Sequence, residues 1–426
     1  MAVGKLHTPV KISSKMKFII TFIAVFMLIT DNVMSQDTTA IPTYEKQQAD
    51  SGKYSTRIPM LTGNGFINFE KGINEGTPVF HGALYPIIVW KISSRLFFEQ
   101  ETEIAIEDQK IKADVEYATL HYTINRYFTI GAGKFLSPFG TYQERIHPAW
   151  INKFSEAPLG LSHDGILVGA MSEIGVEIRG GSPVGSSKLN YVAYISNGPA
   201  LGIDENNNQR ARHDSSDALM SVMLENGKLK DNNNNKAVGG RIGFLPFSNS
   251  SLEIGISNQY AKVGNKDDSL FSKAKVAMHA FDLSYVKSIP YLKGILDVKG
   301  QFNQVTLDKT DTSSSVNMSS MNNSASVSQA YFIQCSFRPA LLQKKIIPKC
   351  EVVGRYSAVN VSEPGMPYIN TNQFAVGFNY WLSWRSVIKI AYQISVEEDK
   401  HNESAFFVQL AIGNPRLKFK SKKVKE

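Results

Sequence analysis

Residues 371–396 read TNQFAVGFNYWLSWRSVIKIAYQISV, and their alternation decides the fold. Phe374, Val376, Phe378 and Tyr380 alternate with Ala375, Gly377 and Asn379. After a tight turn at 383–385, Ile388, Ile390, Tyr392, Ile394 and Val396 alternate with Lys389, Ala391, Gln393 and Ser395. A period of two over this length means β-strands with one apolar face and one small or polar face. Working outward from this pair, about sixteen such runs follow one another, beginning near residues 62, 79, 94, 111, 126, 170, 187, 237, 251, 274, 292, 327, 346, 371, 386 and 403. The connections alternate in length, with tight turns such as 93–94, 181–186 and 246–250 between longer and more polar segments such as 71–78, 264–272 and 308–326.

A soluble sandwich has no reason to keep its long loops at one end. An outer-membrane barrel does, with short periplasmic turns, longer outer loops and an even strand number. Beyond residue 36 no apolar run approaches the ~20 residues of a spanning helix, so a membrane crossing has to be made by strands. The sequence therefore predicts an all-β, transmembrane, antiparallel up-and-down barrel over 62–413. Trp90, Tyr122, Tyr127, Tyr291, Trp381 and Trp384, near run ends, are expected in its interfacial girdles. The 197–236 connection, with its Asn232–Asn235 run, has room for a short helix or an extra hairpin around 218–225.

The ends read separately. Lys15 and Lys17 precede the apolar run 18–29, and Val33-Met34-Ser35 supplies small residues for cleavage. This predicts a signal peptide over 1–35, a short periplasmic segment over 36–61, and translation from either Met1 or Met16. A basic periplasmic tail is expected over 414–426. The formal charge of +8 is concentrated in these ends. Residues 1–35 hold four Lys against one Asp, residues 414–426 hold six Lys or Arg against one Glu, and the body between them is near zero. A basic binding face for nucleic acid is therefore not indicated.

One segment interrupts the regular pattern. From Gly131 the chain reads GAGKFLSPFGTYQERIHPAWINKFSEAPL, in which Pro138, Pro148 and Pro158 forbid a continuous helix or strand. Phe135, Phe139, Tyr142, Trp150 and Phe154 make it too aromatic for disorder, so it must pack against something. By parity it becomes the long third outer loop, folded into the bore as a constriction, with Glu144, Arg145, His147, Trp150, Asn152 and Lys153 as eyelet candidates.

Alternation also names the lumen residues. Glu99, Glu101, Glu103, Asp114, Glu116, Glu173 and Glu177 form an expected acidic wall. Arg241, Lys299, Arg355 and Lys389 form an expected basic wall opposite, and together the walls would set a transverse field across a wet passage. A regular hairpin would place Glu101 beside Asp114. A symmetric hairpin about Leu342-Gln343 would bring Cys335 beside Cys350, leaving a disulfide and two free thiols equally open.

Gly133-Lys134-Phe135 running into Ser137-Pro138-Phe139-Gly140, together with the terminal patterns at 374–381, 387–396 and 406–412, resembles the phosphate-selective (anion-specific) porin superfamily and its uncharacterised outer-membrane relatives. The likeness covers the architecture of the whole mature chain but only about thirty loop residues in motif. It implies a sixteen-stranded, homotrimeric diffusion channel in a Gram-negative-type outer membrane, in contact with outer-membrane lipid. Passive diffusion of small hydrophilic solutes or ions is the expected function, with phosphate or other anions as the finer reading and no cofactor. An enzyme is not expected. His147, His163 and Asp164 lack further ligands at zinc spacing, and no Ser and His pair stands out as nucleophile and base. An active transporter is disfavoured because the region before Thr62 is too short for a plug domain. The alternative is a barrel that is structural or adhesin-like, binding a partner through its long outer loops.

Overall fold

The computed structural model describes residues 59–73, 77–107, 110–162, 166–203, 222–225, 233–264, 273–308, 326–362, 368–397 and 402–413. The expected signal peptide, most of the 36–61 segment and the basic tail lie outside the described residues.

The strands are β1 (Met60–Gly72), β2 (Val79–Lys91), β3 (Leu96–Glu107), β4 (Lys110–Thr123), β5 (Thr129–Leu136), β6 (Ser172–Val184), β7 (Ser187–Ser196), β8 (Ala200–Ile203), β9 (Val222–Glu225), β10 (Ala237–Leu245), β11 (Leu252–Lys262), β12 (Lys275–Ile289), β13 (Gly294–Asp308), β14 (Ser326–Arg338), β15 (Cys350–Val361), β16 (Ile369–Ser383), β17 (Ser386–Glu397) and β18 (Glu403–Gly413). All but β8 and β9 form one closed antiparallel barrel in which each strand pairs with its neighbour and β1 pairs with β18. Closure runs from Asn64↔Gly413 to Gly72↔Ala405. β8 and β9 form a separate two-stranded antiparallel sheet; of the helix and the hairpin left open for the 197–236 connection a strand pair is present, with one strand at 222–225 and the other farther back, at 200–203.

The face reading holds along most strands. Ile67, Phe80, Leu84, Ile242, Val352 and Phe374 project outward and are exposed, while their polar alternates face the bore. That is the inverse of a soluble barrel, and it suits a lipid surround. Trp90, Tyr122, Tyr291 and Trp384 are exposed near strand ends, as a girdle requires. Trp381 is not: it is buried, and its indole N–H donates to Glu351 Oε2 at 2.9 Å. The register of β16 against β17 shifts between Trp381 and Ser383.

Two registers differ from the expected ones. Glu103, not Glu101, lies opposite Asp114, because the hairpin register runs without a break from Glu107↔Lys110; only beyond Thr102↔Val115 does a shift leave Glu116 as an extra residue on β4. Glu101 pairs with Tyr117 instead, and Tyr117 turns inward to donate to Glu99 Oε1 at 3.2 Å. A bulge reverses alternation beyond it, so period-two counting from the inward Asp114 and Glu116, which puts Tyr117 on the apolar outer face, fails there. The second case is the connection 339–349, which carries a short 3-10 turn at Ile347–Lys349 and delays β15 to Cys350. Cys335 consequently faces Gly354, Cys350 faces Tyr380, and both cysteines are free thiols. Denaturation without reductant, followed by a maleimide mass tag, should add two tags per chain. A product with no tags would show the bridge that this register excludes.

Candidate pore and its constriction loop

The segment between β5 and β6 is closed at its root by Ser137 N–H donating to Met171 O at 2.8 Å. Pro138 ends the strand, and Gly140 takes φ +70°, a left-handed turn that side chains resist. The loop then runs inside the barrel along the β10–β18 wall. A loop carries backbone donors and acceptors with no ladder to join, and inside a bilayer-spanning barrel the wall has to satisfy them. An inward hydroxyl and an inward amide do so first: Gly140 N–H donates to Ser257 Oγ at 3.0 Å, and Thr141 and Tyr142 N–H both donate to Gln301 Oε1 at 2.8 and 2.9 Å. Asn303 Nδ2 donates to Val168 O at 2.7 Å.

A single π-helical turn follows, Tyr142–Ile146, closed by His147 N–H on Tyr142 O at 2.8 Å. It presents Glu144 and Arg145 to two walls at once. Arg179 Nη1 meets Glu144 Oε1 at 2.7 Å, and Arg145 Nη1 meets Glu253 Oε1 at 2.9 Å. Tyr142 is buried against Ile146, Leu161 and Phe332, and burial raises its hydroxyl above the usual phenol range.

Beyond the turn, cations of the wall grip loop carbonyls. Arg355 donates to Glu156 O at 2.9 Å and Ala157 O at 3.2 Å, with its guanidinium 4.6 Å from the centre of the Phe154 ring. Lys389 Nζ donates to Phe154 O at 3.0 Å, to Gln409 Oε1 at 2.7 Å and, at short range, to Ala149 O. Lys153 reaches the other way, to Glu351 Oε1 at 2.6 Å. Trp150 packs with Trp381, Val387 and Ala411, and its ring lies where a side chain on Gly413 would project. Asn152 is buried and donates to Glu156 O at 3.1 Å.

The six loop candidates therefore divide. Arg145 is exposed and Glu144 and His147 are half-buried, Trp150 and Lys153 point to the wall and anchor the segment, and Asn152 is buried in hydrogen bonds within the loop itself. His147 meets the Tyr85 ring edge-on at 6.3 Å, beside a recess lined also by Phe66, His81, Glu103 and Glu156.

The candidate basic residues are partnered as well. Arg241 makes a fork with Asp282 at 2.9 and 2.7 Å and meets Glu253 at 2.9 Å, Lys299 meets Asp297 at 2.7 Å, and Arg355 and Lys389 are occupied by the loop. Arg241, Arg355 and Lys389 are each at most 3% exposed. Among the acids, Glu173 lies buried between Ser196 Oγ at 2.6 Å and Gln259 Nε2 at 2.7 Å, and Glu177 is paired with Arg179 at 2.7 Å. Glu101 and Glu116 are buried on β3 and β4, while Glu99 and Glu103 are half-buried and Asp114 is exposed.

Alternation implied a polar inner face throughout, and in the outer half of β11–β15 that fails. Val276, Met278, Val305, Leu307 and Val359 point inward and bury Phe139 and Val168 of the loop together with Leu201 of β8. Gln301, Asn303, Ser257, Asn379 and Gln409, which hold the loop, were not singled out from the sequence. Their only signal there is a polar side chain at an inward position. His163 and Asp164 lie outside the described residues. Among the described residues no group of three or more His, Cys, Asp or Glu could hold a metal ion.

No family model and no curated protein matches the chain. Solved structures do. The outer membrane channel DcaP of Acinetobacter baumannii aligns at 11% identity over 83% of this chain and 96% of its own, with a TM-score of 0.51. The anion-selective porin from Comamonas acidovorans aligns at 11% identity over 83% and 99%, with a TM-score of 0.50. A loop-deletion mutant of OmpT, an outer membrane protein of Vibrio cholerae, aligns at 11% over 83% and 98%, also with a TM-score of 0.50. The fold is the porin barrel. At this identity the likeness extends to the fold and no further.

Replacing Gly140 by Ala tests the docking. A Cβ there would lie 2.2 Å from the Gln301 amide group in a left-handed backbone. Together these cost about 2–3 kcal/mol. The heat-induced mobility transition of the folded barrel should fall, and an unchanged transition would mean that the loop is not seated on β13.

Proposed function

We propose that this protein is an outer-membrane porin through which small hydrophilic solutes and ions diffuse passively, with cations favoured over anions, and that it assembles as a homotrimer. One asymmetry supports the reading. The loop and its partners take up charged groups on the β10–β18 side, while on the inward face of β3 and β4 Glu103 lines the recess beside His147, Glu99 is half-buried and Asp114 is exposed. Nearby bases temper this wall without reversing it. Lys134 donates to Val115 O at 2.5 Å, and Lys112 also alternates onto this face. Carboxylates bordering a narrow aqueous path concentrate cations and repel anions. Phosphate, the finer expectation from the resemblance, fits that wall poorly.

A second reading has an observation of its own. The apolar contact of Phe139, Val168 and Leu201 with the inner wall fills part of the outer half, as a closed, adhesin-like barrel would require. Purified protein in a planar bilayer separates the two: a porin gives discrete conductance steps, and a blocked barrel gives none. Deleting residues 140–155 should raise the step size, and an unchanged step would remove the loop from the constriction. Reversal potentials in a potassium chloride gradient should show potassium passing more readily than chloride. The triple variant E99Q/E103Q/D114N should bring the two permeabilities close together. Chloride preference in the parent protein would sink the cation reading while leaving conduction intact.

A further inference from the structure

On the lipid-facing surface of β11–β16, one row of residues breaks the apolar pattern. Asn258 pairs with His279, His279 with Gln304, Gln304 with Gln329, Gln329 with Asn360, and Asn360 with Asn370, each across one strand boundary. The six residues alternate with inward positions on every strand, so all project outward. Neighbouring members bond: His279 Nδ1 lies 2.6 Å from Asn258 Oδ1, and Gln329 Nε2 donates to Gln304 Oε1 at 2.9 Å. A continuous belt of amide and imidazole across six strands is costly in hydrocarbon, and its depth says where it sits. On β12, His279 is about ten residues above the strand end at Ile289, and on β13, Gln304 is the same distance above Gly294. At ~3.3 Å per residue and a tilt of about 40°, that climb is roughly 25 Å, the height of the outward apolar band of such barrels. The belt therefore lies at the outer edge of the hydrocarbon. Below it on the same faces come Ile256, Phe281, Phe302 and Tyr331; four residues above it, Lys262, Lys275 and Asp308 stand in register.

We propose that this belt and the two lysines form a binding surface for the headgroup of an anionic glycolipid of the outer leaflet. Side-chain amides and imidazole can exchange hydrogen bonds with the sugar hydroxyls and acyl-amide groups at the junction of chains and headgroup. Lys262 and Lys275, facing a single carboxylate from Asp308, supply the positive charge that phosphate groups require. A second copy of this chain is the other conceivable occupant. A subunit contact would need apolar area to continue above the belt, and the positions there are Tyr260, Ala277 and Thr306, followed by the charges.

The proposal rests on the barrel spanning a membrane and not on what passes through it. The test uses full-length protein in detergent, titrated with a diphosphorylated disaccharide glycolipid or with phosphatidylcholine and read by native mass spectrometry. The parent should retain the glycolipid about ten-fold more tightly than phosphatidylcholine. The variant K262A/K275A/Q304L/Q329L should lose that preference while keeping the parent's heat-modifiable band and its conductance. Equal glycolipid retention by variant and parent would overturn the proposal. So would a variant that changes the number of chains per particle, since the belt would then be a contact between copies.

Discussion

Every backbone N–H and C=O placed at membrane depth has to find a partner within the protein, because hydrocarbon offers none. Two consequences of this one requirement organise the molecule. The first is closure: an open edge on β1 or β18 would leave a row of unpaired groups facing lipid, and the nine-residue register from Asn64↔Gly413 to Gly72↔Ala405 removes both edges together. The second concerns the segment between β5 and β6, which enters the bore without a ladder of its own. It can lie there only because Ser257, Gln301, Asn303, Arg355, Lys389 and Gln409 project inward at the heights where its amides and carbonyls arrive.

That second consequence changes the meaning of a charged side chain in the bore. A lysine on the inner face of a strand reads, in isolation, as part of a wet wall. Lys389 instead donates to two loop carbonyls and a glutamine amide, and it is 1% exposed. Arg355 does the same work for Glu156 and Ala157. A buried cation needs such company, since an ion moved out of water without compensating hydrogen bonds is strongly disfavoured. Arg241 meets the same requirement with carboxylates, within an arrangement that runs from Arg179 through Glu144, Arg145 and Glu253 to Asp282.

How far the sequence could be read follows from the range of each signal. Strand alternation is local and repeats, so residues such as Phe374 to Tyr380 declare their faces without help from elsewhere, and sixteen runs of alternating connection length leave few folds besides a barrel. The loop is legible for the same reason, through its prolines and aromatics. Failure begins where one residue is inserted or delayed. The bulge at Glu116 turned Tyr117 inward, and the short 3-10 turn before Cys350 moved it away from Cys335. The bulge carries no mark in the local sequence, because it shows only against the partner strand; the turn does carry one in Pro348, which cannot donate to a ladder and holds β15 back to Cys350. Failure is complete for pairings such as Lys153 with Glu351, whose members are far apart in the chain and are joined only by the path the loop takes.

The near-zero charge of the body, which argued against a basic binding face, is a sum over groups of two kinds. Paired residues such as Arg241 with Asp282 contribute to that sum in equal and opposite amounts and contribute little to the field in the open bore, since each partner cancels the other at short range and both are withdrawn from water. The inward carboxylates of β3 and β4 are held differently, Glu99 accepting from the Tyr117 hydroxyl and Glu103 from the Tyr85 hydroxyl, contacts in which no opposite charge meets them. On β3 and β4 the alternation Glu99, Glu101, Glu103 is a sequence feature, but its consequence depends on position: the loop turns toward β10–β18, Glu103 lines the recess beside His147, Glu99 is half-buried and Glu101 is buried. The loop thus both occupies part of the bore and decides which inward charges are taken up in pairing, so that filling and charge pairing follow from a single docking geometry.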